Sequence, residues 1–303
     1  MSAPINNPLV SICCITFNQV NYIRETIDSF LMQKTSFPIE ILIHDDASTD
    51  GTTEIVKKYE AKYPDIILPL YETENQWNKG RRGSVIFNFP RARGKYIALC
   101  EGDDYWTDPY KLQKQVDFLE NNPKCSVNFH AAKHSNESEP WKSYIYQKKN
   151  SKFTIRDVIL GGGGFMTTNS MVFKTEFVKE FPEWFYKSPV GDYPLMLILA
   201  SKGEIGYLHD NMSVYRLMAS GSWTLALNSS KLNIENHYKS ILRMLNDFNK
   251  WTKYKYSKYV FRKKSENFIL HKYYIYSTKY RLFLSNLHKL RLKYIGGKSS
   301  ILL

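Results

Sequence analysis

The sequence predicts an α/β protein: a mostly parallel sheet flanked by helices, followed by a basic helical extension at the C-terminal end. Two observations predict the sheet. Short β-branched runs alternate with segments of helical period, and the runs end in polar clusters, as strands of a parallel sheet do where they meet a ligand. A third observation, a charge excess confined to the last quarter of the chain, predicts the extension.

The elements follow in order. Run 9–15 is apolar and lies between Pro8 and the polar Thr16, Phe17 and Asn18, which reads as a buried strand entering a turn. Val20, Ile23, Ile27, Phe30 and Leu31 then recur at helical spacing until Ser36-Phe37-Pro38 breaks the pattern. A strand over 39–43 ends at His44-Asp45-Asp46, and the turn 47–51 starts a helix carrying Ile55, Val56 and Tyr59 on one face. Strands are expected over 66–71 and 96–100, the latter running into Glu101-Gly102-Asp103-Asp104. Beyond it the pattern predicts a helix over 109–122, a strand over 125–129, a loop over 134–140, a strand over 170–173, a helix over 195–200 and a last strand over 212–215. The glycine run 161–164 lacks phosphate-loop spacing and reads equally as a mobile wall of a site or a plain linker.

At 303 residues and 43% apolar content the chain can bury a full core, and the charge marks a boundary. Residues 231–303 hold 17 Lys and Arg against 3 acids, whereas the preceding 230 residues hold 25 against 26. The expected organisation is therefore a catalytic or binding domain over 1–230 and a basic, aromatic-rich helical region over 231–303. Trp251, Tyr254, Tyr256 and Tyr259 interleave with lysine there, a pattern that suits an anionic membrane surface, would attract nucleic acid, or belongs to wet helices whose apolar side covers the main domain. No run approaches the roughly 18 apolar residues of a spanning helix, and the first residues lack a signal-peptide layout, so a cytoplasmic protein is expected. Cys13, Cys14, Cys100 and Cys125 sit in apolar runs without ligand spacing and read as buried reduced thiols.

The chemistry concentrates at Glu101, Asp103 and Asp104. Carboxylates crowded at a strand mouth resist ionisation unless a hard divalent cation or a polar ligand compensates them, and a metal-bridged phosphate does both. A turn opened by Asp103 and Asp104 ahead of Asp108-Pro109 is the alternative.

Taken together, Val10-Ser11-Ile12 to Asn18, residues 45–52, Gly94 to Ala98 running into 101–106, Gly191-Asp192-Tyr193 and Ser213-Val214-Tyr215-Arg216 resemble family 2 glycosyltransferases of the GT-A fold, especially bacterial enzymes of surface polysaccharide synthesis. The resemblance covers residues 9–223. It implies a Rossmann-like GT-A sheet and an inverting transfer of sugar from a nucleotide diphosphate donor, a UDP-sugar, to a glycan or lipid-linked acceptor. By the same resemblance, Thr16, Phe17, Asn18 and Asp45 border the base. Glu101 and Gly102 lie at the ribose, Asp103 binds Mg²⁺ or Mn²⁺, and Asp104 assists it or caps the turn. Arg216 and Arg82 reach the donor, and Asp192 is the catalytic base that otherwise only caps a helix. Two departures stand out: Glu101 replaces an aspartate, and Met218 stands where the family commonly has a histidine.

Two other classes compete. A sugar nucleotidyltransferase needs a glycine-rich basic loop after the first strand, and Thr16-Phe17-Asn18-Gln19 does not supply one. A nucleic-acid-binding protein working through the tail leaves the acidic clusters without a task, so no nucleic acid partner is expected. The transferase reading places the chain at the inner face of the plasma membrane, held there peripherally by its tail.

Overall fold

The structure is a computed structural model that describes residues 7–80, 83–136, 139–144, 146–147, 149–217, 227 and 230–275. Its sheet has the order β3-β2-β1-β4-β9-β6-β10-β5, with β7 paired to β6 and β8 to β10. Strands β1 (Val10–Thr16), β2 (Ile39–Asp45), β3 (Ile67–Tyr71) and β4 (Tyr96–Leu99) are all parallel, separated by helices α1 (Ile23–Leu31) and α2 (Thr52–Lys62). Pairing of Thr16 with Asp45, and of Cys13 with Leu99, brings three polar strand ends side by side. Alternate residues of β1 serve opposite faces: Ile12 and Cys14 join one core, Cys13 the other.

Past β4 the sheet changes direction. The chain makes the short β5 (Tyr105–Trp106), helix α3 (Lys111–Asn121), the long β6 (Cys125–Asn136), β7 (Glu139–Tyr144) and β8 (Ser151–Phe153). Helix α4 (Ile155–Gly161), β9 (Val172–Lys174), α5 (Glu183–Tyr186), α6 (Asp192–Lys202) and β10 (Glu204–Arg216) complete the domain. Strand β9 runs antiparallel to β4 and β6, whereas β10 runs parallel to β6. Of the expected loop over 134–140, residues 134–136 end β6, 139–140 begin β7, and 137–138 lie outside the described residues. Lys133, His134 and Ser135 pair with Val214, Tyr215 and Arg216, so a tertiary ladder holds a polar segment that local propensity leaves as loop. The last strand begins eight residues earlier than its apolar run, with register shifts on either side of Asn211 that absorb His209, Asp210 and Met212. All four cysteines are buried thiols.

Close packing fixes the entry to β4. A side chain at Gly94 would lie 2.6 Å from the Ser11 nitrogen, and the Ser11 hydroxyl donates to the buried Glu40, which also pairs with Arg93 at 2.8 Å.

Within the basic region, helix α7 (Lys231–Trp251) is capped by Ser230, whose hydroxyl accepts from the Asn233 N–H. It buries Met244, Leu245 and Phe248, and Phe248 stacks edge-on to Trp184. Helix α8 (Ser257–Ile275) buries Val260 and sends the Lys263 ammonium to the Leu160 carbonyl at 3.0 Å. Both helices therefore turn apolar surface to the main domain. Residues 276–303 lie outside the described residues. Among those described, no helix is long and apolar enough to cross a membrane.

Truncating the fully buried Phe248 to Ala is expected to cost about 3 kcal/mol of unfolding free energy in urea titration; a loss near zero would mean that α7 is not docked.

Candidate active site

Two loops make one rim. The backbone N–H of Asn18 donates to the Ser48 hydroxyl at 2.9 Å and its side-chain oxygen accepts from the Thr49 N–H at 2.8 Å. Gln19 and Val20 donate to Thr52 and Asp50, and the Asp46 N–H donates to the Thr16 carbonyl. Asn18 holds a left-handed φ of 51°, a conformation asparagine tolerates, and Phe17 is left 45% exposed at the rim. Asp45 is buried, and its two oxygens accept from the Ser48 N–H and the Thr53 hydroxyl. Its carboxylate thus shapes the loop. Asp46 does the same for the next turn, accepting from the Gln76 and Trp77 N–H groups.

The acidic turn lies against that rim. Gly102 donates to the Ile15 carbonyl at 2.9 Å, and a side chain there would meet the Gln19 and Thr16 side chains at 2.3 and 2.8 Å, so only glycine lets the turn approach β1. Burial, then Asp103 and Asp192, push the Glu101 carboxyl up to about 8. Burial also raises Asp103, opposed by its own backbone N–H, the Arg216 guanidinium and a bond to Gln19. Asp104 is 1% exposed and raised well above the usual carboxylate range, by burial and then by Asp103 and Glu101. One of its oxygens accepts from the Arg216 N–H at 2.8 Å, and the other has no hydrogen-bond partner among the described residues.

Arg216 locks the turn in place. Its guanidinium donates to the Asp103 carbonyl and to Glu25, and lies between the rings of Tyr22 and Tyr105, 5.0 and 4.6 Å from their centroids. Asp192 opens helix α6, with Gly191 as N-cap and the Tyr193 N–H donating to its carboxylate at 2.7 Å. It is close enough to act on Glu101, so base candidate and acidic turn share one site.

The structure thus brings Thr16, Phe17, Asn18, Asp45, Glu101, Gly102, Asp103, Asp104, Asp192 and Arg216 to one end of the sheet. Arg82 and Met218 lie outside the described residues. Sequence reasoning missed Gln19, Glu25, Tyr22 and Tyr215. Tyr215 feels all four acids, which raise its phenol after burial does; its place one residue before Arg216 on β10 is the signal that could have found it. Lys111 was missed too: it is fully buried, its ammonium 3.9 Å from the centre of the Trp106 ring, and burial lowers it to about 7.

Residues 11–181, more than half of the chain, match the family model described as Glycosyl transferase family 2. The chain belongs to that family. Among relatives of this family 2 glycosyltransferase, an uncharacterized protein of Mycobacterium tuberculosis is 39% identical over 215 residues, 71% of this chain and 60% of that one, so the chain spans only part of that relative's length. An Escherichia coli protein named UDP-Glc:alpha-D-GlcNAc-diphosphoundecaprenol beta-1,3-glucosyltransferase WfaP is 38% identical over 112 residues, 37% of this chain and 41% of that one. Two solved structures share the GT-A fold. TarS of S. aureus in complex with UDP-GlcNAc has a TM-score of 0.59 at 20% identity, covering 78% of this chain and 65% of that one. The mannosyltransferase PcManGT from Pyrobaculum calidifontis, in complex with GDP-Man and Mn2+, has a TM-score of 0.55 at 17% identity, covering 95% and 82%.

The displaced Glu101 carboxyl has a consequence for stability. Between its ordinary 4.5 and about 8, the folded protein keeps a proton that the unfolded chain has lost, so this group's contribution falls as pH rises through that window. In metal-free thermal unfolding, the stability gained by Glu101→Gln over wild type is expected to grow from pH 4.5 to pH 8; a difference that stays constant with pH contradicts the site's electrostatics.

Proposed function

We propose that this family 2 chain is an inverting, metal-dependent glycosyltransferase that moves a sugar from a UDP-sugar to a hydroxyl of a surface glycan or lipid-linked saccharide. The observation that carries the reading is the convergence of Glu101, Asp103 and Asp192: Asp103 and Asp192 add to burial in raising Glu101, and Asp103 stays raised although Arg216 opposes its burial. Hard oxygen donors with surplus negative charge suit Mg²⁺ or Mn²⁺ rather than zinc. Asp103 is the residue to hold the ion. Among the described residues no three His, Cys, Asp or Glu side chains form a ready-made metal site. When bound, such an ion supplies Lewis-acid stabilisation of the departing nucleoside diphosphate. The UDP-GlcNAc bound to TarS, the UDP-Glc in the name of the E. coli relative and the Mn2+ beside GDP-Man in PcManGT support donor and metal.

The chain's own residues do the rest. Thr16, Phe17 and Asn18 offer backbone and ring edge to the base, on a rim that Asp45 holds in shape. Glu101 faces the ribose, and Arg216 fixes the Asp103 carbonyl so that the acid turn keeps its form. Asp192 accepts the proton of the acceptor hydroxyl as that oxygen attacks the anomeric carbon opposite the diphosphate, and the single displacement inverts the centre. A carboxylate is a weak base, so its value comes from position and partial desolvation.

The outer side of α8 suits the anionic inner leaflet. Phe261 is 73% and Phe268 51% exposed, with the exposed Lys258 one turn before Phe261 and the Lys272 ammonium 5.4 Å from the centre of the Phe268 ring. This reading makes the chain a cytoplasmic protein, peripheral at the plasma membrane.

Asp192→Asn is expected to cut sugar transfer by about 10²- to 10⁴-fold with UDP affinity preserved. Asp103→Asn is expected to abolish the Mn²⁺ dependence of UDP binding in isothermal titration, and equal wild-type affinity with and without Mn²⁺ would refute the metal reading. Removing residues 231–303 would uncover Trp184, so the double variant Lys258→Glu, Phe261→Ser is the cleaner membrane test; it should sediment less with phosphatidylserine vesicles, and undiminished sedimentation would reject the anchoring face.

A further inference from the structure

Lys111, the first residue of α3, is fully buried, and its ammonium has no hydrogen-bond partner among the described residues. A charge taken out of water and left unpaired costs the fold stability. Methionine would fill much the same space without that cost, so the charge itself demands a reason.

The ammonium lies over the ring of Trp106, 3.9 Å from its centre, and the negative face of an indole attracts a cation. Trp106 is where the supports of the acidic turn meet. It follows Asp104 by two residues, pairs with Ser213 of β10, donates its indole N–H to the Asn169 carbonyl at 2.9 Å, and packs on Phe30 of α1 with ring centroids 4.8 Å apart. Both α1 and β10 also grip the turn directly. The Thr26 hydroxyl of α1 lies 2.9 and 2.7 Å from the Gly102 and Asp104 carbonyls, and Arg216 at the end of β10 holds the Asp103 carbonyl and the Asp104 carboxylate.

The field of the ammonium reaches the same strand end. Burial, then Asp104 and Cys14, raise the Cys100 thiol one residue before Glu101, and Lys111 opposes that rise. The nearby His130 adds no second charge, because burial and Lys111 both lower its imidazole. A cation therefore stands in the interior, unscreened by water, within reach of the residue from which the acidic turn departs.

We propose that Lys111 is a positioning residue for donor binding: its buried ammonium, seated on the Trp106 ring, fixes the acidic turn and offsets the turn's negative charge from the interior, so that a metal-bound diphosphate meets a preformed edge. The proposal rests on the metal-dependent donor reading above. It accounts for a charge that the fold keeps at a cost in stability.

The test compares the intact wild-type chain with Lys111→Met, which keeps the length and apolar stem of the side chain and removes its charge. Isothermal titration with UDP in saturating Mn²⁺ should show affinity weakened about tenfold. The metal-free melting temperature should rise, because an unpaired buried charge is gone. Lost affinity with gained stability marks a positioning role, whereas a side chain that merely packs loses both together. Unchanged UDP affinity, or a loss of affinity with a lower melting temperature, would overturn the assignment. Wild-type UDP binding that is indifferent to Mn²⁺ would instead count against the metal reading itself.

Discussion

Like charges held together out of water are the constraint on which this site depends. Glu101, Asp103, Asp104 and Asp192 arrive from a strand end, a turn and a helix start; Asp103 and Asp192 make Glu101 harder to ionise, and Asp103 and Glu101 do the same to Asp104. Such an arrangement is unstable unless something insists on it. Here the insistence comes from backbone geometry: β4 is parallel to β1, Gly102 allows the turn to touch Thr16 and Gln19, and the Arg216 guanidinium ties the turn to α1 through Glu25. The fold contributes rigidity and leaves the charge incompletely balanced.

The four acids are not equivalent, and burial decides which does what. Asp104 points inward, accepts from the Arg216 N–H and is driven towards its neutral form, so it acts as a strut that sets the pitch of the turn. Asp103 and Glu101 remain partly accessible, Asp103 with Arg216 and Gln19 in opposition to burial, Glu101 with no such relief. The residue with the least compensation has the most to gain from a cation or a hydrogen-bonding ligand. That difference in relief, rather than the mere number of carboxylates, gives the turn a direction from strut to ligand-facing edge.

Much of this was legible in the residues. Strands β1 to β4 end at polar clusters because a parallel sheet needs apolar runs and leaves its loops at one edge, and that logic found Thr16, Asp45 and Glu101 without coordinates. It could not see that Asp45 would spend both oxygens on Ser48 and Thr53, because loop closure is a local geometric outcome that composition does not encode. The second half was harder for a different reason. His134 belongs to a strand only because β10 lies beside it, about eighty residues away in sequence, and a cavity of about 400 Å³ lined by Asp192 exists only because α7 and α8 fold back over the glycine turn. Asp192 itself, ambiguous between cap and base, proves to sit one residue inside the helix after Gly191, where its carboxylate can bond the Tyr193 N–H and still act on Glu101.

The same folding-back also organises charge. While α7 and α8 spend Phe248, Leu245 and Val260 inward, and Lys263 turns inward to the Leu160 carbonyl, Lys231, Lys239, Arg243, Lys250 and Lys258 are exposed, so a basic surface borders an acidic interior. On the proposed reading, an anionic donor approaching the site meets attraction at long range and repulsion at contact, and only a donor that brings or finds a divalent cation crosses from one to the other. Charge then works as a filter: the basic exterior raises the local concentration of nucleotide diphosphates, while the acidic turn rejects those not neutralised by metal.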